Sequence, residues 1–351
     1  MECNILANPR CTGFMILLLV AFVGYYVITY SQTSRQIFVI TTPPPFKTQS
    51  QQWEATTSKT TRNVIVSSNG KIVLGLQHYV ENNILSIDAG KTFFQLPYHS
   101  HFGCVSSNGD QILLFNSLYY QEKYGEVPTN KLYRSPDKGQ TWITTTLPID
   151  ILAVSCSDSA RDIVISTRDE TTYFGNLSVS SNYGKNWTTV LTANPMAALS
   201  ISGNGKVILA GEQGNYATVN GLHVSYNFGK SFINAQPLPN IVAIWNLVAT
   251  SSDGKYMAAT TLTDGYPFFI SSNYGKTWTI PTYLYTPSAL QLREKTIVFG
   301  VFYSEIHRSN DFGISWVAEK PPFVFMNVLS CSANCSLMAS VSTSYVLYMS
   351  V

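Results

Sequence analysis

Apolar residues are distributed along the chain in two ways. Residues 14–30, FMILLLVAFVGYYVITY, are one uncharged apolar run, just long enough to cross a bilayer as a helix. Beyond residue 50 the pattern changes to short apolar runs separated by polar turns. The first example is Asn63-Val64-Ile65-Val66-Ser67, then Ser68-Asn69-Gly70-Lys71, then Ile72-Val73-Leu74-Gly75-Leu76. Runs of this length bounded by Ser, Asn, Asp and Gly predict β-strands joined by tight turns. Comparable turns recur at Ser107-Asn108-Gly109-Asp110, Gly203-Asn204-Gly205-Lys206 and Ser252-Asp253-Gly254-Lys255.

A second turn recurs with a stricter pattern. Its clearest copy is Ser271-Ser272-Asn273-Tyr274-Gly275-Lys276-Thr277-Trp278, and related octets start at Ser86, Ser135, Ser180, Ser225 and Ser309. The leading serines are 49, 45, 45, 46 and 38 residues apart, a period that marks a propeller or solenoid. In each octet a strand ends at Ser and a new one starts at Thr/Ser/Asn and Trp/Phe. The Asp or Asn oxygen accepts turn N–H groups, and Gly takes a positive φ without steric cost. The acceptors are Asp88, Asp137, Asn182, Asn227, Asn273 and Asp311. With at most one carboxylate per octet these are not calcium loops, which need several.

The octet pattern S-x-D-x-G-x-T-W resembles the Asp-box, or bacterial neuraminidase repeat, of sialidases, sortilin-type receptors, some glucanases and photosystem II assembly factors. The resemblance covers about residues 50–351 and implies a β-propeller. It does not by itself imply an activity.

Two runs before each octet, one leading into it and one begun by its aromatic give four strands per repeat, the blade of a propeller. Inner strands fall near residues 63–67, 102–106, 151–155, 197–201, 246–250, 286–290 and 326–330, which makes seven blades. The seventh repeat reaches Val351 without an octet, while Gln51-Gln52-Trp53-Glu54 precedes the first inner strand. That stretch is expected to supply the fourth strand of blade 7 and close the ring, removing its open edges. The expected architecture is therefore all-β: a seven-bladed propeller of four-stranded blades closed by the N-terminal strand, plus one N-terminal transmembrane helix. Residues 1–13 form a short tail, 14–30 an uncleaved signal-anchor, 31–50 a Ser/Thr/Pro-rich stalk, and 51–351 the propeller.

Basic residues flank the apolar run on both sides (Arg10; Arg35 and Lys47), so charge hardly orients it. The resemblance implies a propeller outside the cytosol, at a cell, organelle or virion surface. Asn176, Asn186 and Asn334 head N-x-S/T sequons, no more than chance provides, and are candidate glycosylation sites. Cys331 and Cys335 flank a short turn and are a candidate disulfide, whereas Cys104 and Cys156 read as small buried residues of adjacent blades. Cys11 lies close enough to the apolar run to be acylated.

Several chemistries have no support. Charged residues are 12% of the chain and the formal charge is +2 without a basic run, which argues against nucleic acid. No CxxC spacing exists, His99 and His101 read as a surface or loop pair, and neither a metal nor a cofactor is expected. Sialidases, by the resemblance, use a tyrosine–glutamate pair, an acid and three arginines near the propeller axis. The inner strands here, read as NVIVS, FGCVS, LAVS, AALSI, WNLVAT, TPSAL and MNVLS, carry no Arg, Asp or Glu, and no catalytic residue is assigned.

The loops between second and third strands are longer and aromatic. Tyr119, Tyr120, Tyr124, Tyr173, Tyr216 and Tyr266 are the candidate ligand-binding residues, since tyrosine offers a rigid apolar face with a polar tip. The loop 116–130, NSLYYQEKYGEVPTN, is the foremost contact element. The expected function is a membrane-anchored, non-enzymatic propeller displaying a glycan- or protein-binding face. A sialidase-like glycoside hydrolase is the first alternative, and an assembly or scaffold factor within a membrane complex the second.

Overall fold

The structure is a computed structural model describing residues 15–21, 24–30, 37–41, 47–48, 52–56, 61–77, 81–116, 130–147, 151–168, 174–213, 221–237, 243–262, 268–281, 287–301, 305–321, 326–342 and 344–350. It divides into two units, residues 1–46 and 47–351. In the first, strands Met15–Ala21, Gly24–Tyr30 and Ile37–Thr41 pair antiparallel in sequence order. The described part of the apolar run is therefore two paired strands, and no helix among the described residues is long and apolar enough to cross a membrane.

The second unit is a seven-bladed β-propeller. Blade 1 comprises Thr61–Val66, Val73–Gln77, Ile84–Ser86 and Phe94–Gln95, paired antiparallel from the inside outwards. The other inner strands are Phe102–Val105, Ala153–Cys156, Ala198–Ile201, Trp245–Thr250, Pro287–Arg293 and Met326–Cys331. Each lies against the inner strands of its two neighbours, and the last lies against the first. In blade 5 the fourth strand is reduced to one bridge, Ile270 to Thr279.

Blade 7 is completed by Trp53–Ala55, which pairs antiparallel with Leu347–Ser350. Closure by the N-terminal strand is thus as expected. Lys47 and Thr48, expected in the stalk, add parallel to the outer strand of blade 6 at Val317 and Ala318.

The octets position the blades through their aromatics. Trp142 of blade 2 packs with Leu85 and Leu96 of blade 1, and Trp187 of blade 3 packs with Phe115 and Leu132 of blade 2. Phe232, Trp278, Trp316 and Phe93 likewise pack into the sheet of the preceding blade. Trp53 fills the corresponding place for blade 7, against Val298 and Ile306 of blade 6. The ring is therefore stapled seven times by a large side chain, six from octets and one from the closing strand.

The octet turn uses two consecutive left-handed residues: Ala89 and Gly90, for instance, have φ of 63° and 86°. At Gly184 packing also favours glycine, since a Cβ there would lie 2.3 Å from Leu132. All six octets dock on the turn between first and second strands of their own blade, as in Tyr274 N–H to Lys255 O at 2.9 Å. Octets and first–second turns thus share one end of the propeller, the octet face. The links between blades and the second-to-third loops occupy the other, the loop face.

Candidate functional site

The two faces differ in how their polar groups are used. On the octet face the first–second turns form a chain of hydrogen bonds from blade to blade. Ala333 N–H donates to Ser68 O (2.8 Å), Asn69 to Ser107 (3.1 Å), Ser107 to Asp158 (2.7 Å), Asp158 to Gly203 (2.9 Å) and Asn204 to Ser252 (3.0 Å). Between blades 6 and 7 the guanidinium of Arg293 donates to Cys331 O at 3.3 Å. Asp158 reaches across the ring to accept from the Ser252 hydroxyl at 2.6 Å, and its charge acts on Arg293. Asp158 thereby links the first–second turns of blades 3 and 5 on this face.

Arg62 and Arg293 correct the sequence reading, which placed no charge on the inner strands. Thr61–Val66 begins two residues before the expected inner strand and includes Arg62. Pro287–Arg293 runs to Arg293 because blade 6 lacks the Ser-x-Asn/Asp-Gly turn and reverses at Glu294-Lys295, with Glu294 at φ 50°.

Two polar clusters lie toward the loop face, and a third runs along blade 6 from Glu305 toward the octet end at Arg308. The first spans blades 1 and 2. Asn83 Nδ2 donates to the Ser100 hydroxyl at 2.7 Å, Gln77 N–H donates to Asn83 Oδ1 at 3.1 Å, and Gln77 Nε2 donates to Thr61 Oγ1 at 3.4 Å. This buried network fixes His99-Ser100-His101, whose imidazoles meet edge to face at 5.0 Å. They lie in the link between blades 1 and 2 and are half-buried. Burial pushes His101 down to about 3, aided by the charges of His99 and Arg62 and opposed by Asn116. His99 is lowered by burial and by Arg62. Both are neutral at physiological pH.

The second cluster is in blade 4 and was not found from sequence. Glu212, buried, meets His223 Nε2 at 2.7 Å through Oε1, while Oε2 accepts Gly221 N–H at 3.0 Å and Asn194 Nδ2 at 2.8 Å. Burial raises this carboxyl, but the bonds from His223, Gly221 and Asn194 outweigh it and hold the group below its ordinary value. The third is in blade 6, where Glu305 lies 3.3 Å from His307 and 3.6 Å from Lys320, and Glu319 lies 3.5 Å from Arg308. Burial pushes His307 down to about 4 against the pull of Glu305. It pushes Glu319 up against the pull of Arg308. Glu212, Glu305 and Glu319 each already have a basic partner.

Tyr119, Tyr120, Tyr124, Tyr173, Tyr216 and Tyr266 all lie outside the described residues, as does 117–129. Of other aromatics near these loops, Phe174 is 56% exposed, whereas Phe268 is buried against Phe299. Tyr98 stacks on Tyr133 with centroids 3.9 Å apart and belongs to the packing between blades. Among the sequons, Asn186 and Asn334 are exposed and Asn176 is half-buried, accepting the Thr192 hydroxyl at 2.6 Å. Cys331 and Cys335 are joined, with Cα atoms 4.8 Å apart. Cys104 and Cys156 are also joined, at a Cα separation of 6.2 Å across blades 2 and 3, where the sequence reading had only small buried side chains. No metal-holding group of His, Cys, Asp and Glu occurs among the described residues.

No family model and no curated protein matches this chain. Solved structures do. A GH74 xyloglucanase from Xanthomonas campestris superposes with a TM-score of 0.65 at 13% identity, covering 84% of this chain and 53% of that one. YCF48 bound to D1 peptide gives 0.61 at 13% identity, covering 88% and 99%, and the Cps50 (Swd1) propeller domain from Myceliophteria thermophila gives 0.64 at 10%, covering 85% and 99%. The likeness is one of fold. The chain spans about half the length of the xyloglucanase and nearly the whole of the other two.

Proposed function

We propose that this protein is a membrane-anchored Asp-box propeller whose loop face holds a glycan or protein ligand without transforming it. The observation that carries the reading is the state of the carboxylates in the polar clusters of blades 4 and 6. Glycoside hydrolysis needs a carboxylic acid kept protonated beside a second, free carboxylate. Glu212 is instead held ionised by three hydrogen bonds, Glu305 is shared by His307 and Lys320, and Glu319, which burial raises, is paired with Arg308 rather than set beside a second carboxylate. On the octet face the backbone groups of the first–second turns are tied to one another, and this ligand is proposed for the loop face, where the sequence pattern puts the candidate tyrosines. YCF48, a propeller of similar extent, has been solved with a peptide, which favours a protein ligand and keeps a scaffolding role within the reading.

The octets are read as Asp-boxes on their hydrogen bonding. In each, the leading serine hydroxyl and the N–H of the seventh residue meet one Asp or Asn oxygen, as at Asp88 (2.7 and 2.9 Å). Two disulfides favour an oxidising compartment, with the propeller outside the cytosol and the exposed sequons open to glycosylation. Residues 14–30 are the proposed anchor. An open sheet cannot lodge in hydrocarbon, because its edge amides lack partners, so in a bilayer this run is a helix.

The test is a glycan array and a peptide array probed with the detergent-solubilised full chain, with a fluorogenic glycoside panel on the same sample. Binding without turnover is expected. Turnover of any glycoside would overturn the reading.

A further inference from the structure

The six octets have one geometry and two charge states. Serine hydroxyls donate to the Asp or Asn oxygen at 2.7 to 3.0 Å, and that oxygen accepts the N–H four residues on at 2.8 to 3.0 Å, in all six. Blades 1, 2 and 6 use Asp88, Asp137 and Asp311, whereas three consecutive blades, 3 to 5, use Asn182, Asn227 and Asn273. The turn does not require the exchange. Its consequence is the loss of three negative charges, side by side, from one arc of the octet face.

The same arc gathers cations. Lys185, Lys230 and Lys276 stand at the same octet position, three residues after each Asn, and Arg161, Lys206 and Lys255 project from the neighbouring first–second turns. All six are exposed, and none makes an ion pair within 4 Å among the described residues. Against them stand three carboxylates, Asp158, Asp162 and Asp253, of which Asp158 is tied to Ser252. On blades 1 and 2 the same positions balance: Lys71, Lys91 and Lys138 face Asp88, Asp110 and Asp137, with Lys138 paired to Asp110 at 3.4 Å. The octet face is thus basic over blades 3 to 5 and close to balanced over blades 1 and 2, where Arg134, 3.9 Å from the Tyr183 ring centroid, adds a cation at the border with blade 3.

An aromatic ring lies within the arc. Tyr226 of the blade 4 octet is 37% exposed, and its hydroxyl donates to Tyr274 O of the blade 5 octet at 2.6 Å. The ring is held between two lysine-bearing turns with a face available for stacking on a sugar.

We propose that the octet face of blades 3 to 5 is a docking surface for a sulfated polysaccharide. One equivalent lysine per blade matches a linear polymer with a repeating negative charge, and Tyr226 supplies a sugar platform that a purely ionic surface would lack. The choice of a polysaccharide over nucleic acid rests on the extracytoplasmic reading above. The site is separate from the loop face, so either can fail without the other.

The test uses full-length protein in detergent micelles and immobilised heparin as the probe. Binding is expected, weakening steeply with salt as counterions are released. N182D/N227D/N273D restores the carboxylates that blades 1, 2 and 6 already accommodate, so it should keep the wild-type melting temperature and lose about tenfold or more in affinity. K185Q/K230Q/K276Q should lose about as much, and Y226A should weaken binding with little change in its salt dependence. K71Q/K91Q/K138Q removes the same charge from blades 1 and 2 and should leave affinity within about threefold. No binding by the wild type, or an equal loss in the blade 1 and 2 variant, overturns the proposal.

Discussion

Asn273 Nδ2 donates to the Thr277 hydroxyl at 2.8 Å, whereas in the blade 1 octet the Thr92 hydroxyl donates to Asp88 Oδ2 at 2.6 Å. The contact is the same and its direction is reversed. A hydroxyl both donates and accepts, so a threonine or serine at this position serves either residue. That is why Asp and Asn interchange among blades 1, 2, 4, 5 and 6, and why the charge of the face can vary without a change of fold. In blade 3 the position is Asn186, whose N–H donates to Asn182 Oδ1 at 2.9 Å.

The carboxylate octets should make the protein acid-sensitive in a defined window. Hydrogen bonds from the Thr92 hydroxyl and amide, and from Ser86, hold Asp88 down at about 2, from an ordinary 3.8. Asp137 is lowered chiefly by Thr141, and Asp311 is lowered because bonds from Ser315 and Ser309 outweigh its burial. A carboxyl lowered on folding contributes stability that is complete above its unfolded value and lost as pH falls through the folded one. Wild type should therefore weaken from about pH 4 toward pH 2, and D88N/D137N/D311N should weaken less over that range. Melting curves by circular dichroism at steps of pH test this, and parallel curves would contradict it.

His101 gives a second window with the same sign. Its folded value of about 3 lies below the ordinary 6.5, so the unfolded chain takes up the proton first as pH falls. Stability linked to this site is complete above pH 6.5 and declines toward pH 3. By NMR the His101 ring should show no titration between pH 5 and 8, and a midpoint near 6.5 would show that it is not buried as described.

The aromatic staples should dominate mechanical integrity. Trp316 lies against Phe268 and Phe299, with ring centroids 6.4 and 5.0 Å away. Trp316→Ala should cost about 3–5 kcal/mol, as large-to-small changes in packed cores do. Trp53→Ala should cost a similar amount and also loosen the closing strand. Denaturant unfolding reads the first effect, and faster proteolysis near residue 53 reads the second.

The cross-blade disulfide closes a span of 52 residues. C104S/C156S should lose about 2–4 kcal/mol and keep only the smaller response to reductant of the four-residue Cys331–Cys335 bond, whereas wild type should fall further when reduced. An unchanged melting temperature would mean that this bond contributes nothing.

What could be read from the sequence follows from how local each constraint is. The octet turn is fixed by residues within eight positions, so Ser, Asp/Asn, Gly and the aromatic announce it. Blade number and closure follow by counting, down to Trp53 in the place of a missing octet aromatic. Inner strand ends were misjudged at Arg62 and Arg293, because a strand does not stop where its apolar run stops. The Cys104–Cys156 bond depends on two inner strands lying side by side, a relation no single repeat contains. Glu212 and His223 fall on opposite sides of a hairpin in which Ala210 pairs with His223. Aligning the blades strand by strand would have brought both pairs into view.

The central claim is that the loop face binds a partner and does no chemistry. It is tested most directly with wild type and a variant whose residues 117–129 are replaced by a short Gly/Ser turn, both as full-length chains on the same glycan and peptide arrays. Wild type should give a ligand signal that the variant loses at an unchanged melting temperature, with no glycoside turned over by either. A signal that survives the replacement, or turnover of any glycoside, would contradict it.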